Sequence, residues 1–293
     1  MDTVKDRMDI WVIGGDMRQV KLSEALSDDG HSVHSFALEK GQAGSGVRQE
    51  ESLAGASLAD CVILPLPAEG EGGVLNAPLS DSRCTLEMVF DALQPGQVVC
   101  AGKVTPRALA LAAERSITLR DYFAREELAI ANAVPTAEGA IQLAMEELSI
   151  TIQGCRVLVL GYGRVGQATA SRFAALGAKV SVAARKYADL ARAESVGLGV
   201  EQIGALREWL CGYDLVVNTV PARVLGEEEL SALREGCLVI DLASRPGGVD
   251  FEAAAQLGVK AIWALSLPGK VAPVTSGRYI RDTIYNILRE LGV

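Results

Sequence analysis

The chain has 293 residues, room for two domains of ordinary size. Of these, 49% are hydrophobic but only 5% aromatic, so Ala, Val, Leu and Gly carry the apolar load and layered α/β packing fits better than a β-sandwich. A formal net charge of −9 argues against nucleic acid or an anionic membrane as the main partner, because both need a basic face. An anionic substrate stays open, since a local arginine cluster overrides the global balance.

Six cysteines (Cys61, Cys84, Cys100, Cys155, Cys211, Cys237) form no CxxC pair, and several sit in apolar runs. Buried free thiols are expected rather than a disulfide framework or a zinc site, and no metal is expected. The charged residues 1–7 lead directly into a strand without a signal peptide, and no apolar run reaches the ~18 residues of a membrane span, so a soluble, cytoplasmic protein is expected.

Ile10-Trp11-Val12-Ile13-Gly14-Gly15-Asp16 is an apolar run closed by glycines, and a helical stretch, 17–26, follows. This reads as strand, tight turn, helix, the opening of a doubly wound domain. Further strands are predicted at 31–36, 61–64, 98–101 and 117–120, helices near 82–93 and 106–114, and glycine-rich loops at 41–46 and 70–73. Val134-Pro135-Thr136 interrupts the pattern and predicts a connector helix over 137–148.

Val157-Leu158-Val159-Leu160-Gly161-Tyr162-Gly163 repeats the opening device, with a helix to Leu176 and strands at 179–184, 215–219, 238–242 and 261–264. Continuous apolar strands alternating with helices indicate parallel sheets covered on both faces. After a loop over 268–273, a last helix, 275–291, is able to return to the first domain. The expected fold is α/β, with two doubly wound Rossmann-like domains and an active-site cleft between them. Residues 1–135 with 275–293 form the substrate domain, 136–150 a connector helix and 151–274 the nucleotide domain.

Gly161-Tyr162-Gly163-Arg164-Val165-Gly166 has the GxGxxG spacing in the right context, after a strand and opening a helix. The first glycine permits the turn, the second lets a pyrophosphate approach the backbone, and the third allows close helix–strand packing. Free N–H groups of the helix start then bind phosphate. The plainer alternative is a glycine turn needed only for packing.

NAD sites usually carry a carboxylate about 20 residues further on; here stand Arg185 and Lys186, and the next carboxylate is Asp189. The cationic pair suits a 2′-phosphate and favours NADP over NAD; a solvated basic turn is the alternative. Asn218-Thr219-Val220-Pro221 ends a strand of the same domain and is expected to flank the nicotinamide ribose, unless it is only a structural proline turn.

The two histidines, His31 and His34, both lie in the first domain, so the His acid/base of hydroxy-acid dehydrogenases is missing near the nicotinamide. No Tyr is followed four residues later by Lys, which counts against short-chain dehydrogenases and removes the key lysine motif of methylenetetrahydrofolate dehydrogenases; GxSxG and HExxH are absent too.

Candidate substrate groups remain at turns. Asp16, Arg18 and Gln19 stand at the first helix start, with a simple Asp N-cap as alternative. Thr136 and Glu138 stand at the start of the connector helix, with capping as alternative. Arg245, beside Pro246, ends a strand where a guanidinium can grip a carboxylate with two bonds, with a surface arginine as alternative. Lys270 is a further cation, placed to face cofactor or substrate.

Gly14-Gly15-Asp16-Met17-Arg18-Gln19, Asn132-Ala133-Val134-Pro135-Thr136-Ala137-Glu138-Gly139, Leu242-Ala243-Ser244-Arg245-Pro246-Gly247-Gly248-Val249-Asp250-Phe251 and Leu267-Pro268-Gly269-Lys270-Val271-Ala272-Pro273 together resemble the family of dipicolinate synthase A subunits of spore-forming bacteria. The likeness runs through nearly the whole chain in order and spacing, and Gly161 to Gly166 with Ala184-Arg185 also fit. Lys270 departs from the pattern, which has a small or apolar residue there.

The resemblance implies oxidation of dihydrodipicolinate to dipicolinate with NADP⁺ during sporulation, in the mother-cell cytoplasm, together with a flavoprotein-like B subunit. Hydride and proton leave as the ring becomes aromatic, so the demand for a catalytic His relaxes. The two substrate carboxylates fit Arg18 and Arg245, and Asp16 or Glu138 would serve as base. Open alternatives are another NADP-dependent dehydrogenase of a small carboxylate and a non-catalytic nucleotide-sensing regulatory protein; a homo-oligomer also stays open.

Overall fold

The apolar runs of the sequence become parallel strands. The computed structural model describes residues 7–293; positions 1–6, most of the charged segment ahead of the first strand, lie outside the described residues. The chain divides into two compact units, one reaching to Asn132 and resuming over Ala272–Val293, the other covering Ala133–Val271.

The first unit runs β1 (Asp9–Ile13), α1 (Met17–Asp28), β2 (Ser32–Phe36), β3 (Val47–Gln49), β4 (Cys61–Ile63), α2 (Leu86–Asp91), β5 (Val98–Ala101), α3 (Pro106–Glu114) and β6 (Thr118–Asp121), into α4 (Glu126–Glu147). Its six strands pair in parallel in the order β3-β2-β1-β4-β5-β6. Successive side chains leave a strand on opposite faces. Ile10 and Val12 therefore pack with Leu22 and Leu26 of α1, while Trp11 and Ile13 pack with Phe90 and Val99.

The second unit runs β7 (Arg156–Leu160), α5 (Arg164–Ala175), β8 (Lys179–Ala184), α6 (Tyr187–Ser195), β9 (Gly199–Gln202), α7 (Leu206–Trp209), β10 (Leu215–Asn218), α8 (Glu227–Ser231), β11 (Leu238–Asp241), α9 (Phe251–Gln256), β12 (Lys260–Trp263) and α10 (Leu267–Val271). The strand order is β12-β11-β10-β7-β8-β9, again all parallel. Counted within the unit, this is the first unit's order read from the other end. Both sheets are thus doubly wound and Rossmann-like. Val157 and Val159 pack on Phe173 of α5, and Leu158 and Leu160 join Leu210 and Leu225 on the other face.

The last helix, α11 (Pro273–Leu291), belongs to the first unit. Ile280, Ile284, Ile287 and Leu288 recur at helical spacing, and each is at most 4% exposed against the cluster that holds Leu22 and Leu26. Gly277 lets the helices touch: a Cβ there would stand 2.8 Å from Leu22 N and 2.9 Å from Arg18 O. His31 ties the same helix at its side. It accepts from Met8 N–H at Nδ1 (3.1 Å), its Nε2 stands 2.9 Å from Tyr285 Oη, and the tyrosine hydroxyl donates to Asp29 Oδ2 at 2.8 Å. Burial lowers the His31 pKa.

Several expectations need correction. α4 begins at Glu126 rather than near residue 137, and Pro135 lies inside it. Glu126 and Glu127 suit the positive end of the helix dipole, and the run that follows is rich in helix formers, which outweighs the one hydrogen bond the proline removes. Thr136 and Glu138 are therefore interior helix residues and present no helix start. Residues 268–271, read as part of a loop, fall within α10 (Leu267–Val271). The short edge strands β3 and β9 were not anticipated. The six cysteines are free, and Cys211 is exposed rather than buried. Burial pushes the Cys155 thiol up to about 11 and the Cys237 thiol up to about 12, so both are poor nucleophiles. Among the described residues no helix is long and apolar enough to cross a membrane, and no group of three or more His, Cys, Asp or Glu converges as metal ligands.

Candidate functional site

The glycine turn of the second unit joins β7 to α5. Gly161 has φ +90°, and a Cβ there would stand 2.7 Å from Thr219 Oγ1; one on Gly166 would stand 2.2 Å from Gly161 O. Both positions thus exclude any side chain. Gly163, the N-cap of α5, has no atom within 4 Å of the place a Cβ would take and no side-chain cap. No side chain caps this 12-residue helix, and a helix start of this kind suits a ligand's anionic oxygens.

The turn is braced from both sides. Gly161 N–H donates to Ala183 O at 2.8 Å, and Thr219 donates to Leu160 O through N–H (2.9 Å) and Oγ1 (2.7 Å). Gln167 Nε2 donates to Tyr162 O at 3.0 Å. Tyr162 is buried, and desolvation raises its phenol pKa; Arg164 is exposed and Val165 half-buried. This donor set and its open second glycine fit a dinucleotide pyrophosphate.

Arg185 and Lys186 follow the C-terminal end of β8, and both are exposed. The nearest following carboxylate, Asp189, is engaged by Arg192 at 3.1 Å. The strand end thus presents two cations, with no carboxylate following it in the chain before Asp189.

Asn218, Thr219, Val220 and Pro221 close β10. Asn218 is fully buried, and its side chain is used internally: Nδ2 donates to Val220 O (3.0 Å) and Asp241 Oδ1 (2.7 Å), while Oδ1 accepts from Val220 N–H (3.0 Å). Val220 is half-buried and Pro221 exposed. On the neighbouring strand β11, the loop after Asp241 carries Ser244, Arg245 and Pro246, all exposed. The structure thus gathers the glycine turn, the β10 end and the β11 loop at the carboxyl ends of adjacent strands, where open α/β sheets bind ligands.

In the first unit Asp16, Arg18 and Gln19 form one network. Asp16 caps α1, accepting from Arg18 N–H at 2.9 Å, and Gln19 Oε1 accepts from Asp16 N–H at 3.3 Å, a complete capping box. The Arg18 guanidinium holds the same carboxylate through Nε (2.9 and 3.1 Å) and Nη2 (2.8 Å), and Nη2 also donates to Leu66 O at 2.7 Å. Its side chain is 9% exposed. Gln19 Nε2 donates to Tyr122 Oη at 3.3 Å, and Tyr122 donates to Leu64 O at 2.9 Å. Burial pushes the Tyr122 phenol far up.

Thr136 is half-buried inside α4, and Glu138 is exposed, 3.9 Å from Arg172 of α5. Lys270 lies in the last turn of α10 and is exposed. Sequence reasoning missed Tyr122, Asp241 and Trp263. Tyr122 meets Gln19 across 103 positions, which no local pattern signals. Asp241 was visible as an acid ending an apolar strand just before the arginine loop.

Comparison with known proteins bears on both units. Residues 9–123 match the N-terminal domain of the dipicolinate synthase A subunit, while residues 117–257 match the NAD-binding domain of D-isomer specific 2-hydroxyacid dehydrogenases. The dipicolinate synthase A subunit of Bacillus subtilis is 35% identical over 286 residues, 96% of each chain. The crystal structure of that protein superposes with a TM-score of 0.85 at 34% identity, covering 99% of this chain and 98% of that one. Its counterpart from Bacillus halodurans gives 0.87 at 34% identity, covering 98% and 99%. A Sinorhizobium meliloti transhydrogenase shares the fold at 18% identity, with a TM-score of 0.72 over 96% of this chain and 94% of that one. The dehydrogenase-type second unit supports an oxidoreductase with a nicotinamide cofactor.

Proposed function

The chain belongs to the family of dipicolinate synthase A subunits, and from that premise we propose that it oxidises dihydrodipicolinate to dipicolinate with NADP⁺, beside a partner B subunit, in the cytoplasm of a sporulating cell. The observation that carries the reading is the relationship itself, 35% identity over 96% of the chain, joined to a glycine turn whose second position is open.

Gly161, Gly163 and the first-turn N–H groups of α5 would hold the pyrophosphate, and Arg185 with Lys186 the 2′-phosphate of NADP. When bound, the nicotinamide supplies a two-electron hydride acceptor. Dihydrodipicolinate carries two more hydrogens than dipicolinate; one leaves with its electron pair and the other as a proton, which conserves atoms and charge.

Arg245 is exposed on a fixed loop, and a guanidinium grips a planar carboxylate with two parallel bonds. Arg18 differs. Its Nε and Nη2 donors already serve Asp16 and Leu66, so its charge is paired with the Asp16 carboxylate and its part is to hold the turn after β1 in shape.

The test mixes the full-length chain with dihydrodipicolinate and NADP⁺ and follows pyridine and reduced-nicotinamide absorbance together. Stoichiometric growth of both signals, with or without the B subunit, supports the reading. Pyridine formed by the B subunit without nucleotide reduction overturns it and leaves this chain a nucleotide sensor.

A further inference from the structure

We infer that Asp241 is a positioning residue that locks the Arg245 loop to the turn after β10, and thereby sets the carboxylate grip; the inference rests on the function proposed above. Asp241 is fully buried, and among the described residues no Lys, Arg or His forms an ion pair with it. A buried carboxylate is costly unless its oxygens are bonded. Here Oδ1 accepts from Asn218 Nδ2 (2.7 Å) and Ala243 N–H (3.0 Å), and Oδ2 accepts from Gly248 N–H (2.8 Å). One side chain therefore holds both ends of the loop whose exposed apex is Ser244-Arg245-Pro246.

Other contacts tighten the same loop. Trp263 Nε1 donates to Ala243 O at 2.9 Å, and Phe251 stacks on Trp263 with ring centres 5.5 Å apart. A Cβ on Gly248 would stand 2.2 Å from Asn218 Nδ2 and 2.7 Å from Val220 O. Asn218 meanwhile clasps Val220 through N–H and C=O. The cofactor-side turn and the arginine loop thus share one buried polar cluster with Asp241 at its centre. An ordinary strand end needs none of this. A leucine at 241 would leave Ala243 N–H and Gly248 N–H unpaired, and an asparagine would set its NH₂ against one of them.

A double-mutant cycle tests the inference. Asp241→Asn, Arg245→Ala and the double variant of the full-length chain are titrated with pyridine-2,6-dicarboxylate in the presence of NADP⁺, and separately with NADPH. Asp241→Asn is expected to weaken the dicarboxylate about tenfold and NADPH less than about twofold, with the double variant no weaker than Arg245→Ala alone. Gly248→Ala, which pushes the loop without touching the carboxylate, should shift dicarboxylate affinity the same way. Losses that multiply in the double variant, or a parallel loss of NADPH, overturn the assignment. If the wild-type chain takes up no dicarboxylate, the proposed function falls, and amide exchange decides the positioning claim by itself. Faster exchange at Ala243 and Gly248 in Asp241→Asn, with residues 163–167 unchanged, upholds it; unchanged exchange at those two amides refutes it.

Discussion

The two units share one strand order, yet their first βα turns differ in what satisfies the helix start. In the first, Asp16 caps α1 with its own carboxylate, and a Cβ on Gly15 would stand 2.6 Å from the Gln19 side chain that closes the box. In the second, Gly163 caps α5 with no side chain and open space above it. A helix N-terminus attracts an anion in either case. The first unit supplies that anion from its own chain, whereas in the second, on the function proposed above, a ligand would supply it. The same topology therefore gives one turn capped by a side chain and one without such a cap, and the difference lies in one or two side chains.

Moving the cap across breaks this comparison most sharply. Gly163→Asp should cap α5 as Asp16 caps α1, weakening NADPH about a hundredfold or more without lowering the melting temperature. Fluorescence titration beside a thermal scan checks both halves.

The reverse change, Asp16→Ala, removes a cap and leaves the nearly buried Arg18 guanidinium without its partner. A loss of about 2–4 kcal/mol in urea unfolding of the full chain is expected, with NADPH affinity unchanged. A stability change under about 1 kcal/mol, the scale of a cap alone, would mean the Arg18 network adds nothing.

How far all this was legible in the sequence follows the range of the interactions. The strand–turn–helix at Gly161 to Gly166 is a local pattern with a steric cause at each glycine, and it was readable. The apolar strands β1, β4, β5, β7, β8, β10 and β11 are runs that must be buried on both faces, and they too were readable. β3 and β9 are short and half-exposed, with Arg48 and Glu201 among their residues, so no apolar run marks them. Pro135 suggested a helix start because a proline is commonest there, whereas the packed context carries the helix through it. Arg18 showed as a cation at a turn. That its charge is taken up by Asp16 and its neighbour Gln19 by Tyr122 depends on pairings the one-dimensional pattern does not encode.

Cofactor choice sharpens the comparison at the next strand. Arg185→Ala should weaken NADP about tenfold and NAD less than about twofold. Equal losses for both nucleotides, measured by competitive titration, would detach Arg185 from the 2′-phosphate.

The smallest effect concerns the tether of α11 in the first unit. Burial lowers the His31 pKa from its ordinary 6.5, so the unfolded chain takes up the proton first. The stability contributed by neutral His31 is complete above pH 6.5 and falls as the pH drops through and below that value. His31→Asn should flatten that part of the stability profile while leaving nucleotide affinity untouched; a slope that persists in the variant would place the proton elsewhere.

Calorimetric titration of the full-length chain with NADPH tests the central claim most directly, because it counts the turns that bind. One dinucleotide per chain, lost in Gly163→Asp and kept in Asp16→Ala, is the predicted result. Two per chain, or binding that survives Gly163→Asp, would contradict it.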